Sequence, residues 1–388
     1  MHNFFKLILN AGLIRTVTVI STPFIFSIYG EENFGMLSFI LSQLNIAVIL
    51  STFGLEKNIK NILIKEKNFL NIMLNHIIIV SFIFSIYLAL SLQSELSFIE
   101  VIVIPLFGFI ILASTSIFNI LRFIELSDGN HDKFLIGRTK QTISTIIIQI
   151  SSYLIDIFGL ILGEVVGRLI LVFQYRPKIS ITKFHEYKSF LKKNLSYIFN
   201  FSLANFLHVL PLNISTLIVF SRFGPEFAGK LSISFLYALG TINVISGSFA
   251  QSIYNELVKS KGSPNELKNL FKNFFKSCLI AIFAIIFFEV FLQIIQITSF
   301  INFPESIYLS RNFYISILAI GSVGPIYQVL YLNNKSYAIS ISSLISLSYV
   351  LIFFRDINSF EIAIYHINSW ILIQYSLLLL FAFLLIKK

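Results

Sequence analysis

The chain has 388 residues, of which 56% are hydrophobic and 12% charged, against about 25% charged in an ordinary soluble protein. So few charges cannot cover a water-soluble protein of this length. That excludes a cytosolic enzyme, and it excludes a nucleic-acid module in spite of the net charge of +10.

Apolar windows of about 20 residues, long enough to cross a bilayer, recur from one end to the other. In chain order they are 7–29, 34–53, 69–92, 98–121, 138–155, 157–173, 195–220, 228–251, 277–297, 312–332, 337–354 and 361–386. The first carries Arg15, exceeds the length of a signal-peptide core and has no A-x-A-like site after it, so no cleaved leader is expected. The fifth is the least regular, with Arg138, Lys140 and Gln141 at its start, and only a short stretch around Asp156 divides it from the sixth. The reading is an all-α polytopic membrane protein of about twelve transmembrane helices. The connections are too short for a separate soluble domain. Cys278 is the single cysteine, so no internal disulfide forms.

Charge sets the expected orientation. With the N-terminus in the cytoplasm, the inward segments and tails hold 23 of the 29 lysines and arginines, and the outward ones only 4. This is the positive-inside asymmetry, and it predicts both termini in the cytoplasm. The longest connections, 174–194 and 252–276, then face inward, and their lysines read as topology determinants rather than headgroup sites. Phe184, Tyr187, Phe190 and Leu191, and likewise Leu267, Leu270, Phe271 and Phe274, recur at helical spacing among the lysines. Each connection is therefore expected to contain a short amphipathic helix.

Sliding the sequence against itself by 194 residues reveals a repeat. Residues 21–38 (STPFIFSIYGEENFGMLS) and 215–232 (STLIVFSRFGPEFAGKLS) are identical at nine of eighteen positions. The matches include Gly30/Gly224, Glu32/Glu226 and Gly35/Gly229, which apolar composition alone cannot produce. Gly30 and Gly224 suit a tight reversal at a helix end. Glu32 and Glu226 suit the first turn of the next helix, and Gly35 and Gly229 suit close helix approach. Six windows per half gives both halves the same orientation, related by an axis along the membrane normal. The expected division is a six-helix bundle over 1–173, a cytoplasmic linker over 174–194 and a second six-helix bundle over 195–388.

The repeated G-x-E-x-x-G-x-L-S turn, with F-G-L-E at Phe53–Glu56 and G-L-I-L-G at Gly159–Gly163, resembles the polysaccharide flippases of the MOP superfamily, the O-antigen (Wzx-type) exporters. The resemblance implies two parallel six-helix bundles around a central cavity, open alternately to each side. It also implies a cargo, undecaprenyl diphosphate carrying an oligosaccharide unit, and a place in the bacterial cytoplasmic (inner) membrane beside polymerases or glycosyltransferases of the same pathway.

Ionisable and polar groups within the windows are the site candidates. Arg15 lies about 12 Å of helix rise inside the first and suits a diphosphate; anchoring to headgroups is the bland reading. His208, Asn205 and Asn213 surround Pro211 in the seventh, where lining a cavity competes with plain interhelical bonding. His76 reads as bonded to a neighbouring helix. Glu164 and Arg168, four apart, read as mutually neutralised. Arg138 and Lys140 are inner-end charges that could meet a headgroup on entry. Glu289 has no partner in its own helix; protonation, bonding across helices and ion coupling all stay open.

No phosphate-binding G-x-x-x-x-G-K-[ST] loop, H-E-x-x-H, G-x-S-x-G or metal-spaced Cys/His cluster occurs. The expectation is a transporter rather than an enzyme, with no cofactor or metal, partnered by membrane lipids and a lipid-linked oligosaccharide and not by nucleic acid. A small-molecule antiporter of the multidrug type and a membrane polysaccharide polymerase are the competing readings.

Overall fold

The computed structural model describes residues 2–55, 68–92, 98–127, 131–175, 183–260, 263, 265–298, 305–324, 326, 329–330, 333, 335–354 and 357–386. Its elements are α1 (His2–Thr52), α2 (Phe69–Leu92), α3 (Phe98–Ser127), α4 (His131–Ser151), α5 (Asp156–Tyr175), α6 (Phe184–Phe223), α7 (Pro225–Ser260), α8 (Glu266–Thr298), α9 (Tyr314–Val323), α10 (Ser336–Phe353) and α11 (Phe360–Ile386). Short 3-10 segments precede α5 and α9. No strand occurs among the described residues, so the fold is all-α as expected, and seven of the described helices are long and apolar enough to cross a membrane. α1 contains two of the sequence windows, joined at Gly30, whose φ of 77° and ψ of 172° break the helical path.

By its contacts the chain forms two compact units, Met1–Ser38 with Leu210–Lys388, and Phe39–Val209. These are not the sequence halves, because each unit takes in one segment from the other half.

In the unit 39–209, α2 pairs with α3, α4 with α5, and α5 also packs on α3. Three glycines of α5 spaced four apart, Gly159, Gly163 and Gly167, make the α4 crossing close. A Cβ on Gly163 would stand 2.8 Å from the Thr145 carbonyl oxygen, and one on Gly167 would stand 3.1 Å from that of Gln141. Small residues at a crossing let backbones approach where lipid supplies no hydrophobic drive. Polar side chains then bond across the gap: Gln149 Nε2 donates to the Leu160 carbonyl at 3.2 Å, and the Ser152 hydroxyl reaches that of Gly159 at 3.3 Å. Arg168 pairs with Glu164 at 2.8 Å and also donates to the Thr115 hydroxyl at 2.5 Å. The intrahelical pair thus tethers α5 to α3.

In the unit of 1–38 with 210–388, α8 packs on α7 and α9, and α11 on α9 and α10. Phe26 of α1 closes a core with Ile233, Tyr237, Phe288 and Leu292, flanked by Phe34 and Tyr314. α9 is shorter than the tenth window: its helix stops at Val323, where the Gly324 amide donates back to the Ile320 carbonyl. Pro325 follows in sequence and has no N–H with which to continue the ladder.

The expected amphipathic helices of the long connections are not separate elements where the chain is described. Residues 184–194 are the opening turns of α6, and those from Glu266 onward open α8. Their apolar faces dock on the protein rather than lie free at an interface. Phe190 packs against Phe69 at 5.8 Å, and Leu270 is fully buried. The expected linker 174–194 is accordingly helical from Phe184.

Two kinds of glycine can be separated by substitution. Gly167→Leu should force α4 and α5 apart and lower stability by about 1–3 kcal/mol, read as a lower thermal midpoint in detergent. Gly30→Ala meets open space and carries only the strain of a positive-φ, extended backbone (φ 77°, ψ 172°) that is essentially reserved for glycine, about 1–3 kcal/mol. Equal midpoints for Gly167→Leu and the wild type would contradict the close crossing.

Candidate functional site

The repeat places its two copies against each other. Phe220 and Gly224 close α6 with a bond from the Gly224 amide to the Phe220 carbonyl at 2.9 Å, and Gly224 has φ of 88°. Such a left-handed residue ends a helix at low cost only when it is glycine. Pro225 then opens α7, where its missing N–H costs nothing. Gly30 performs the same reversal in the first copy, and Asn33 Nδ2 bonds the Tyr29 carbonyl at 2.9 Å.

Beyond these turns the helices touch backbone to backbone. A Cβ on Gly35 would meet Pro225 and stand 3.0 Å from the Gly229 nitrogen; one on Gly229 would meet Glu31 and stand 3.2 Å from the Gly35 nitrogen. Residues 31 and 225, like 35 and 229, are repeat mates. The contact is therefore reciprocal, the pattern a two-fold axis between the hairpins produces. Charge breaks that symmetry. Lys230 spans from Glu31 at 3.2 Å to Glu226 at 2.5 Å, whereas its repeat mate, residue 36, is a methionine. The Lys230 ammonium, hydrogen-bonded to Glu226, holds that exposed carboxyl below its ordinary pKa. Glu32 is exposed at the same turn.

The other candidates are distributed differently. Arg15 lies within α1, and its side chain falls outside the described part of the structure. Asn205 is only 3% exposed, and its amide donates to the Gly54 and Phe201 carbonyls, both at 3.1 Å. It thereby caps the end of α1, where Phe53 (φ 52°) and Gly54 (φ 60°) both take left-handed conformations. His76 belongs to the same knot: its Nε2 donates to the Leu50 carbonyl at 3.1 Å, its Nδ1 and the Tyr187 hydroxyl share a hydrogen bond at 2.9 Å, and its ring stacks on Phe53 at 4.0 Å. A carbonyl only accepts, so Nε2 carries a proton. His208 is half-buried, Asn213 is buried, and both are engaged by their surroundings. Arg138 lies over the Phe118 ring at 4.7 Å and donates to Gln141 at 2.8 Å, while Lys140 is exposed. Glu289 finds its partners across helices. Arg311 bonds it through two nitrogens at 2.7 and 3.1 Å, and the Tyr314 hydroxyl donates to it.

Several of these partners carried no sequence signal of their own. Arg311 and Lys230 are two of the four outward charges of the orientation count, and Tyr187 belongs to an apolar stripe. The Glu226–Lys230 spacing of four was readable; the approach of Glu31 depends on how the two hairpins meet.

The fold has solved counterparts. An inward-facing multidrug resistance MATE family transporter of the MOP superfamily matches with a TM-score of 0.64 at 12% identity, covering 96% of this chain and 94% of that one. An outward-facing MATE family transporter matches with a TM-score of 0.55 at 13% identity, over 99% and 94%. A MOP superfamily transporter from Pyrococcus furiosus, described as having a binding pocket of reverse polarity, matches with a TM-score of 0.54 at 12% identity, over 98% and 94%. No protein-family model and no curated protein sequence matches. The chain has the fold of the MATE transporters of the MOP superfamily.

The reciprocal contact can be tested directly. In a Cys278→Ser background, Glu31→Cys with Lys230→Cys should form a disulfide in membranes under mild oxidation, seen as a shift that reductant reverses. A pairing of Glu31→Cys with Cys at exposed Ser221 should not. Crosslinking of both pairs alike, or of neither, would show that the hairpins do not meet at Gly35 and Gly229.

Proposed function

We propose that this protein is a transporter that moves undecaprenyl-diphosphate-linked oligosaccharide, an O-antigen or capsule repeat unit, across the bacterial cytoplasmic membrane by alternating access. In this reading it serves lipopolysaccharide or related polysaccharide biosynthesis. Both termini lie in the cytoplasm, residues 1–173 and 195–388 are the two repeat bundles, and polymerases and glycosyltransferases are its pathway partners. The fold it shares with MOP transporters supports transport over polymerisation.

The cargo rests on charge. Glu164 and Glu289, the described carboxylates well inside the helices, are each held by an arginine, Arg168 and Arg311. Neither is left as a lone anion for a cationic drug. Arg15, in the repeat helix, has no acid of its own within a helical turn on either side, and a guanidinium can grip a diphosphate through two donors. Arg138 and Lys140 would meet the headgroup on entry. Asn205 would act by fixing the Phe53–Gly54 turn, and His208 and Asn213 by lining the path. A multidrug antiporter is the second reading, favoured by the descriptions of the solved structures that share the fold.

The test is surface polysaccharide in a strain lacking the native gene, with the protein level in the membrane measured alongside. Arg15→Lys keeps charge without the planar fork and should retain partial activity. Arg15→Ala should lose at least tenfold, and Arg15→Glu all of it, because like charges then meet in a low-dielectric path. Lipid-linked units should accumulate on the inner side when flipping stops. Full polysaccharide from a well-expressed Arg15→Ala variant would withdraw the assignment. Drug resistance conferred by the wild type, without complementation, would establish the antiporter instead.

A further inference from the structure

Helix α8 changes character along one face. At about 100° per residue, Leu270, Asn273, Ser277, Ala281, Ala284 and Phe288 fall on one side, and all are buried. The opposite side begins with Lys268, Lys272 and Lys276, all exposed, a column about 12 Å long. The same side then continues as Leu279, Phe283 and Ile286; Leu279 is 68% and Phe283 66% exposed. This is the least buried of the seven helices suited to cross a membrane.

The lysines have no ion pair among the described residues. The carboxylates of the same helix are committed elsewhere: Glu266 is buried and accepts from Asn333 at 3.0 Å, and Glu289 is held by Arg311. Beside the column, Phe271 stacks on Phe383 of α11 at 4.3 Å and widens the apolar wall. Setting the orientation of a chain requires only a number of positive charges near a helix end. It does not require that they stand in register above an exposed aromatic and aliphatic ladder.

We propose that this face of α8 binds an anionic glycerophospholipid, with its phosphate over Lys268, Lys272 and Lys276 and an acyl chain along Phe275, Leu279 and Phe283. The charge is complementary to a phosphate, and the sequence of polar head and apolar run along the helix matches that of a lipid lying against it. The inference is independent of the cargo, since it concerns a face of α8 and not the candidates for the transport path.

Native mass spectrometry of the purified full chain, exchanged into phosphatidylglycerol or phosphatidylcholine, provides the test. The wild type should retain phosphatidylglycerol in preference. Lys268→Gln with Lys272→Gln and Lys276→Gln should reduce that retention at least fivefold, and the three lysine-to-arginine changes at the same positions should preserve it. Lys183→Gln with Lys188→Gln and Lys192→Gln removes the same charge from α6 and the residue before it, where only Lys188 and Lys192 stand above exposed Leu195 and Phe199, and should reduce retention by less than half as much. Phe275→Ala with Leu279→Ala and Phe283→Ala should also weaken retention, with the thermal midpoint showing that the helix stays folded. Equal losses in the two lysine-to-glutamine variants would reduce the site to general attraction and overturn the proposal. Full displacement by millimolar inorganic phosphate, or undiminished retention in the apolar variant, would mark a free-anion site and overturn it equally.

Discussion

Between Gly35 and Gly229 no side chain separates two helices, and their backbones meet. Much of the unit formed by 1–38 and 210–388 depends on that approach. It brings Phe26 and Phe34 of α1 onto Ile233 and Phe288, filling a core that the later helices could not close among themselves. It also sets Glu31 within reach of Lys230. The turns that precede it, at Gly30 and Gly224, differ in kind. A Cβ there would meet open space, so the requirement is for a left-handed backbone and not for room. Two pairs of glycines in one short repeat thus carry two separate constraints, conformation at the turn and proximity after it.

A second constraint runs through both units. In a hydrocarbon surrounding, a charge or backbone polar group must be satisfied by the protein itself. The candidates within the helices show how this is done. Glu164 and Arg168 neutralise each other, and Thr115 takes a remaining guanidinium donor. Glu289 is held by Arg311 and Tyr314. Asn205 supplies the partner for a carbonyl at the left-handed Phe53–Gly54 turn, and His76 does the same for Leu50. Groups that look expensive one at a time become fasteners between helices once paired. The candidates with intrahelical or interhelical partners therefore weigh less as ligand groups than they did as isolated letters.

The fold was legible in the sequence because its information is carried by length and hydropathy. Twelve windows map onto the described helices, with the first two merged in α1 and the tenth cut short before Pro325. The repeat was legible because glycines and acids coincided at a fixed offset. What the sequence could not give is partnership at long range. Glu289 had three open readings because Arg311 lies 22 residues away beyond a connection, and Tyr187 meets His76 across 111 positions. The amphipathic stripes at Phe184 and Leu267 misled for a related reason. Helical spacing of apolar residues shows that a face is buried but not against what, and here the bundle competes successfully with the interface for Phe190 and Leu270.

The two lysine-rich starts differ in how many charges stand on the exposed face. In α6 the opening turns press Tyr187 and Phe190 onto α2, and the exposed side carries two lysines, Lys188 and Lys192, ahead of Leu195 and Phe199. In α8 the buried side docks too, through Leu270 and Asn273, and the exposed side, after three lysines, does not revert to polar residues. It becomes a ladder of large apolar groups over several further turns. A charged column that only set orientation would sit as well above any residues compatible with lipid. One continuous with bulky, strongly exposed Phe275, Leu279 and Phe283 presents a phosphate-sized charge and a chain-sized groove wall in the order that a single lipid molecule offers them. Membrane proteins meet lipids everywhere, and selective retention requires that head and tail be recognised on the same element. α8 carries the longer such column among the described residues, Lys268, Lys272 and Lys276 above Leu279 and Phe283, against Lys188 and Lys192 above Leu195 and Phe199 in α6.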